Sequence, residues 1–275
     1  MKYNIIVSMF AFLFLTACNP DFNTNQKDIK YHSSKKRLKS NKKGPNPKTK
    51  ANQNQEANQN QEADQNQEVD PNKRTKNALL DDLRNLIEKA NADREKYVKK
   101  LKEESPDQYG ILAFKELGWG EGPGEKISDN TERSIRYRTR TYGALNDIDT
   151  DKLKEFTRII MLSKQTQDLF NTLSAFGGNI DDVIVYLYPK KDNLDKLEIS
   201  DLEKLKDLFK KLLSTKEIVS KISKQLLLDY QDDTNSIKTD TTKLELHGKE
   251  IVKQIVEQKQ EAEKLRNDIL LINNF

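Results

Sequence analysis

The chain has 275 residues, with 48 Lys/Arg against 44 Asp/Glu and a mean hydropathy of −0.88. One cysteine and two histidines exclude an internal disulfide and leave too few ligands for ordinary zinc sites or a Ser/His or Cys/His centre. The charge is divided unevenly. Residues 19–76 carry 13 Lys/Arg against 7 Asp/Glu, whereas residues 77–275 carry 34 against 37. The C-terminal part is therefore no basic nucleic-acid binder, and about 200 residues suffice for one domain with a real core.

Residues 1–17 read as a signal peptide: Lys2, an apolar run from Ile5 to Leu15, then the small residues Thr16 and Ala17. The run is too short to span a bilayer, which takes about 20 residues. The quartet Leu15-Thr16-Ala17-Cys18 resembles the bacterial lipobox, in which the cysteine is acylated and becomes the mature N-terminus. Cys18 is thus the expected lipidation site. The expected attachment is to a membrane through lipid, without spanning it.

Residues 18–76 read as a disordered tether. Apolar residues nearly vanish after Phe22, so little surface exists to offset chain entropy. The block 35–50 has eight basic residues and no acidic one, and suits either a solvated linker or contact with anionic lipid or glycans. Residues 51–68 write one hexapeptide three times (ANQNQE, ANQNQE, ADQNQE), without the aliphatic position a β-helix must stack. As a flexible coil, the 58 residues from 19 to 76 give an end-to-end distance of roughly 40 Å.

From Asn77 the spacing predicts helices throughout residues 77–275. The first carries Leu79, Leu83, Leu86, Ile87, Ala90, Tyr97, Val98 and Leu101 on one stripe and stops at Ser105-Pro106. A short helix bearing Phe114 and Leu117 follows, then a glycine-rich loop in which Trp119 plugs the core. A second long helix starts near 128–130 and runs to Asn146. Asp149 or Thr150 caps a third, whose apolar face runs from Leu153 to Phe176 and which Gly177-Gly178 ends. NIDDVIVYLY reads as a further helix capped by Asn179. Ser200-x-x-Glu203 and Ser214-x-x-Glu217 are capping-box patterns that open two more helices, the second burying Ile218 and Ile222. A long last helix spans about 241–273. The expected fold class is all-α: a single bundle of five to seven helices with a long C-terminal helix.

Several patterns bear on chemistry. DIDTD (147–151) begins like a calcium loop but has Lys152 at the glycine position and Arg158 at the bidentate glutamate position, so it reads as a helix cap. GWGEGPG (118–124) has neither the dinucleotide nor the phosphate-loop spacing. No catalytic, metal or cofactor site is expected. Arg133, Arg136 and Arg140 share one helical face, with Tyr137 and Tyr142 interleaved. They form either a solvated face with acidic neighbours or a docking patch for an acidic partner; nucleic acid is not expected. Leu244, Ile251, Ile255, Leu265, Ile269 and Ile272 form a heptad-like seam, with Gly248 and Ala262 allowing close approach. The seam packs on the bundle or joins a dimer, and a monomer is favoured over a homodimer. His32 falls in the tether and His247 on a helix surface.

The lipobox, the polar tether and the Lys/Glu/Leu/Ile-rich helices together resemble the plasmid-encoded outer-surface lipoproteins of Lyme-disease spirochaetes, in particular the CspA-like paralogues. FKELGWG (114–120), RYRTRTYGALNDIDTDKLKEFTRII (136–160) and the terminal helix carry the resemblance. It implies a helical bundle anchored in the cell outer membrane and exposed to the host. It also implies immune evasion through a complement regulator or component as host partner. An adhesin for host matrix or glycans, or an antigenic surface protein without a specific ligand, is the alternative.

Overall fold

The structure, a computed structural model, describes residues 71–120 and 124–272. Residues 1–17, Cys18, the hexapeptide repeats, the basic block and His32 lie outside the described residues.

Among the described residues there are seven α-helices: α1 Pro71–Lys102, α2 Ala113–Glu116, α3 Glu132–Ala144, α4 Thr150–Leu162, α5 Thr166–Leu187, α6 Ile199–Gln231 and α7 Thr241–Leu270. No strand forms among them; Gly118 and Lys126 make only an isolated bridge. The all-α bundle and the long last helix are as the periodicity requires. Helix α1 begins six residues before Asn77. Pro71 sits at its start, where a missing N–H costs nothing, so residues 71–76 belong to the helix rather than the tether.

Helix α5 is the axis. Leu169, Phe170, Leu173, Phe176, Ile180, Val183, Ile184 and Leu187 are all buried, and only a stripe through Gln167, Asp168, Asn171, Ala175 and Val185 stays exposed. Helices α3 and α7 pack on it most extensively, α6 lines up with α7, and α1 closes the bundle against α6 and α3. Phe114 from short α2 plugs one end. Its ring meets Tyr142, Phe170 and Tyr137 edge-on at 5.9, 5.9 and 6.4 Å between centroids.

Three boundaries differ from expectation. The third helix is two helices, because Lys164 takes a left-handed conformation (φ 59°) after the α4 cap at Ser163. Nothing local demands the break. Tertiary contact does: the bend lies against Gly248 of α7, and Lys164 pairs with Glu245. Gly177-Gly178 does not end a helix but lies inside α5, which absorbs NIDDVIVYLY up to Leu187. The reason is close approach, since a Cβ on Gly177 would stand 2.0 Å from the carbonyl oxygen of Arg140 on α3. The two capping-box helices are one 33-residue helix, α6, with Ser214 inside it. Ile222 is half-buried, and Ile218, expected in the core, is exposed. Of the other expected caps, that of Asp149 forms, accepting from the Lys152 N–H at 2.9 Å. Ser200 does not cap α6, whose N-cap is Glu198 with no side-chain bond, and α3 starts at Glu132, after Thr131, rather than at 128–130. Asp240 caps α7, accepting from the N–H groups of Thr242 and Lys243.

Half-buried polar cross-links set helix register. Asp181 on α5 accepts from Arg94 Nε and Tyr97 Oη of α1, both at 2.7 Å. Asp182 accepts from Arg140 of α3 at 3.4 Å and from Arg266 of α7 at 3.0 Å. Asp93 of α1 holds Lys216 of α6 and accepts from Asn146 at 3.0 Å.

Candidate partner-docking face

The three arginines of α3 do not form one free patch. Arg133 lies 4.9 Å over the Trp119 ring and donates from Nε to Glu125 at 2.8 Å. Arg136 pairs with Glu132 one turn earlier. Arg140 is the brace to Asp182 just described. Arg133 and Arg136 stay largely exposed, with their charges locally matched. The side chain that matters most on this helix is Arg138, which the one-face spacing of the other arginines does not mark. It is buried and donates to Glu104, to the Ile127 carbonyl at 2.6 Å and to the Asp129 carbonyl at 2.8 Å. Its only signal in the sequence is its position between Tyr137 and Thr141 on the inward face. Glu104 also accepts from Tyr142, and burial together with that carboxylate pushes the Tyr142 phenol well above its ordinary range.

The seam of α7 is spent inside the chain. Leu244, Ile251, Ile255, Leu265, Ile269 and Ile272 are all buried against the bundle. A second copy would have to displace the chain's own helices to reach them. His247 is half-buried rather than on the surface, with Nε2 facing Asp229 of α6 at 3.5 Å.

What the bundle leaves open lies on α4. Asp151, Glu155 and Arg158, spaced one turn apart, form a ridge with a hollow on each side. The larger hollow, about 680 Å³, lies toward α6 and is lined by Lys224, Leu227, Leu228, Tyr230, Gln231 and Lys238. The smaller, about 370 Å³, lies toward Asp107, Gly110 and Leu112. Leu228 and Leu112, one in each hollow, are both 51% exposed. Arg158 is fixed on the crest. It is bidentate to Glu155 at 2.8 and 2.6 Å and lies 5.1 Å over the Tyr230 ring. Hydrogen bonding to Glu155 raises the Arg158 pKa, and the same bond lowers that of Glu155. Sequence periodicity marks Tyr230 as core and says nothing of Leu228.

Among the described residues no helix is long and apolar enough to cross a membrane, and no His/Cys/Asp/Glu group is arranged to hold a metal ion.

The fold and this face define an all-helical bundle whose open surface is a set of helix faces. A family model described as Borrelia Bbcrasp-1 domain containing protein matches residues 98–274, and the chain belongs to that family. Among solved structures it is similar to BSE31 of Borrelia (Borreliella) spielmanii, at 67% identity and a TM-score of 0.70, covering 72% of this chain and 100% of that one. The outer surface lipoprotein BBA64 of Borrelia burgdorferi is 22% identical with a TM-score of 0.55, covering 72% and 95%. The outer surface protein BBA66 of Borrelia burgdorferi is 17% identical with a TM-score of 0.57, covering 70% and 99%. The last two share the fold. A comparison with curated proteins returns no match.

Proposed function

We propose that the protein is an outer-membrane lipoprotein, anchored through Cys18 and exposed on the cell surface, that binds a host protein through the faces of its helical bundle and performs no catalysis. Complement regulators and components are the first ligands to test. The match of residues 98–274 to the Bbcrasp-1 domain family carries the reading. The lipobox Leu15-Thr16-Ala17-Cys18 and the naming of relatives as outer surface proteins support it. The bundle offers rigid helix faces, which suit protein recognition with little ordering cost.

The test is capture from human serum by the chain from residue 19 onward, against a scrambled-charge control. Saturable enrichment of a complement protein is the expected result. No enrichment by protein shown to be helical by circular dichroism removes the complement reading. The anchor has its own test: Cys18→Ala abolishes incorporation of labelled palmitate and releases the protein from the membrane fraction. The basic block 35–50 favours a second reading, adhesion to polyanionic glycans. In that case deleting 35–50 abolishes binding and added salt weakens it steeply.

A further inference from the structure

We infer that the hollow between α4 and α6 is the docking site for an acidic amphipathic segment of a partner protein, which seats an apolar side chain on Leu227, Leu228 and Tyr230 and presents carboxylates to Lys224 and Lys238. The inference rests on the host-binding reading and names the face and the partner chemistry.

Three observations carry it. The first is apolar content without a cover. Leu228 is 51% exposed on a helix whose inward residues are fully buried, and it stands beside half-buried Leu227 and the Tyr230 ring. A desolvated apolar anchor in such a recess is where binding energy concentrates. The second is size. At about 680 Å³ the hollow takes one or two large side chains of an incoming helix and is too shallow to enclose a whole domain.

The third is charge. The lining carries Lys152, Arg158, Lys224 and Lys238 against Asp151 and Glu155. This net positive spot lies on a domain whose residues 77–275 are net negative. Arg158 is committed to Glu155, and Lys152 lies 3.1 Å from Asp149. Lys224 and Lys238 form no ion pair among the described residues; Lys238 feels the carboxylates of Asp233 and Glu155 at longer range, so Lys224 is the freer of the two rim cations that meet a partner's carboxylates. Asp151, the one opposing charge without an ion pair, sits in the first turn of α4, where the helix dipole favours an anion. Complementary charge at a rim of this kind sets encounter rate and orientation, while the apolar floor supplies the residence time.

The test uses a synthetic amphipathic helix with Leu on one face and Glu on its flanks, titrated into the isotope-labelled chain from residue 19 onward and followed by NMR. Saturable shifts at Leu227, Leu228 and Tyr230 are expected. Leu228→Ser and the double variant K224E/K238E should each weaken binding by about tenfold or more. Both change exposed side chains, so circular dichroism should be unchanged. Leu246→Ser, an exposed leucine on α7, is the control and should leave binding intact. Shifts mapping elsewhere, or variants that bind as well as the parent, overturn the proposal. Equal binding of a peptide with the same charges and no leucines assigns the face to polyanions and overturns it too. So does self-association of the parent that Leu228→Ser abolishes, since that makes a second copy the occupant. Serum capture separates the two readings. If K224E/K238E captures the serum ligand as the parent does, the docking face falls and the host-binding function stands. If the peptide binds at the hollow but no serum protein is captured, the docking face stands and the complement reading falls.

Discussion

Arg138 and Glu104 form a buried bidentate ion pair across 34 residues of sequence, with the guanidinium Nε at 3.0 and 3.1 Å from the two carboxylate oxygens and Nη2 at 3.0 Å from one of them. Arg138 is 1% exposed, so the pair lies inside the bundle and joins the end of α1 to α3. Removing one partner leaves an uncompensated charge there, which costs about 3–5 kcal/mol. Arg138→Met should therefore lower the stability measured by urea unfolding by about 3 kcal/mol or more. The double variant R138M/E104L should recover part of that. Full recovery is not expected, because the buried Ile127 carbonyl loses its donor, at about 1–3 kcal/mol, and the half-buried Asp129 carbonyl loses one at smaller cost.

Gly177 and Gly178 should respond differently to alanine. In a helix interior, replacing glycine by alanine gains about 0.5–1 kcal/mol from backbone entropy alone. At Gly177 the new Cβ would meet the Arg140 carbonyl oxygen at 2.0 Å and its carbon at 2.8 Å, which is backbone and cannot swing aside. Gly177→Ala must therefore separate α3 from α5, a loss of about 1–3 kcal/mol that outweighs the gain. At Gly178 the nearest atoms are Arg140 Nε and Cδ at 3.0 and 3.1 Å, a side chain that can shift. Gly178→Ala should be near neutral in the same unfolding assay. Equal losses at the two positions would refute the close-approach account of α5.

This pair of glycines shows where sequence reading stops. Stripes of leucine and isoleucine define the helices and their inward faces, because burial follows a period of 3.6 residues wherever the core lies. Helix boundaries answer to contacts between segments far apart. Gly-Gly looks like a helix end until α3 is placed against it, and Lys164 looks like mid-helix until Gly248 and Glu245 arrive. Ser214-x-x-Glu217 has the local pattern of a cap, yet Leu212 and Thr215 are buried on either side of Ser214, and the helix runs on. The arginine face had a similar fate. Spacing picked out Arg133, Arg136 and Arg140, but carboxylates from the loop, the same helix and α5 neutralise them. The open hollow at Leu228 depends on how α4 and α6 meet, which no periodicity records.

The loop before α3 carries an acid-sensitive clasp. Glu125 accepts from Arg133, Thr131 and Ser134, and these contacts, the Arg133 hydrogen bond first, pull its pKa from 4.5 down to about 2. A depressed folded pKa contributes stability above the unfolded value and loses it as pH falls through the folded one. The clasp should therefore hold at pH 5 and release as pH approaches about 2. Trp119 is the single tryptophan of the chain, and its Nε1 donates to Ser134 at 2.7 Å, so its emission reports the event. Titrating fluorescence from pH 6 downward should show a step with a midpoint well below 4.5, absent in Glu125→Gln. A step near 4.5 would mean that the carboxylate is not held.

Gly248 decides between the two roles that small residues on α7 suggest. It faces the α4–α5 bend, where an added Cβ would lie 2.6 Å from Ser163 Oγ and 2.7 Å from Ser163 Cβ. Ser163 is fully buried, and its Oγ donates to the Ile160 carbonyl at 2.8 Å, so it has nowhere to go. Gly248→Ala should push α7 off the bend and cost about 1–3 kcal/mol in urea unfolding, despite the gain in helix propensity. Because this seam is covered by the chain's own helices, the mass distribution in sedimentation should not change with the substitution. A variant that unfolds like the parent but shifts between dimer and monomer would show instead that Gly248 meets a second copy, and that α7 leaves the bundle to do so.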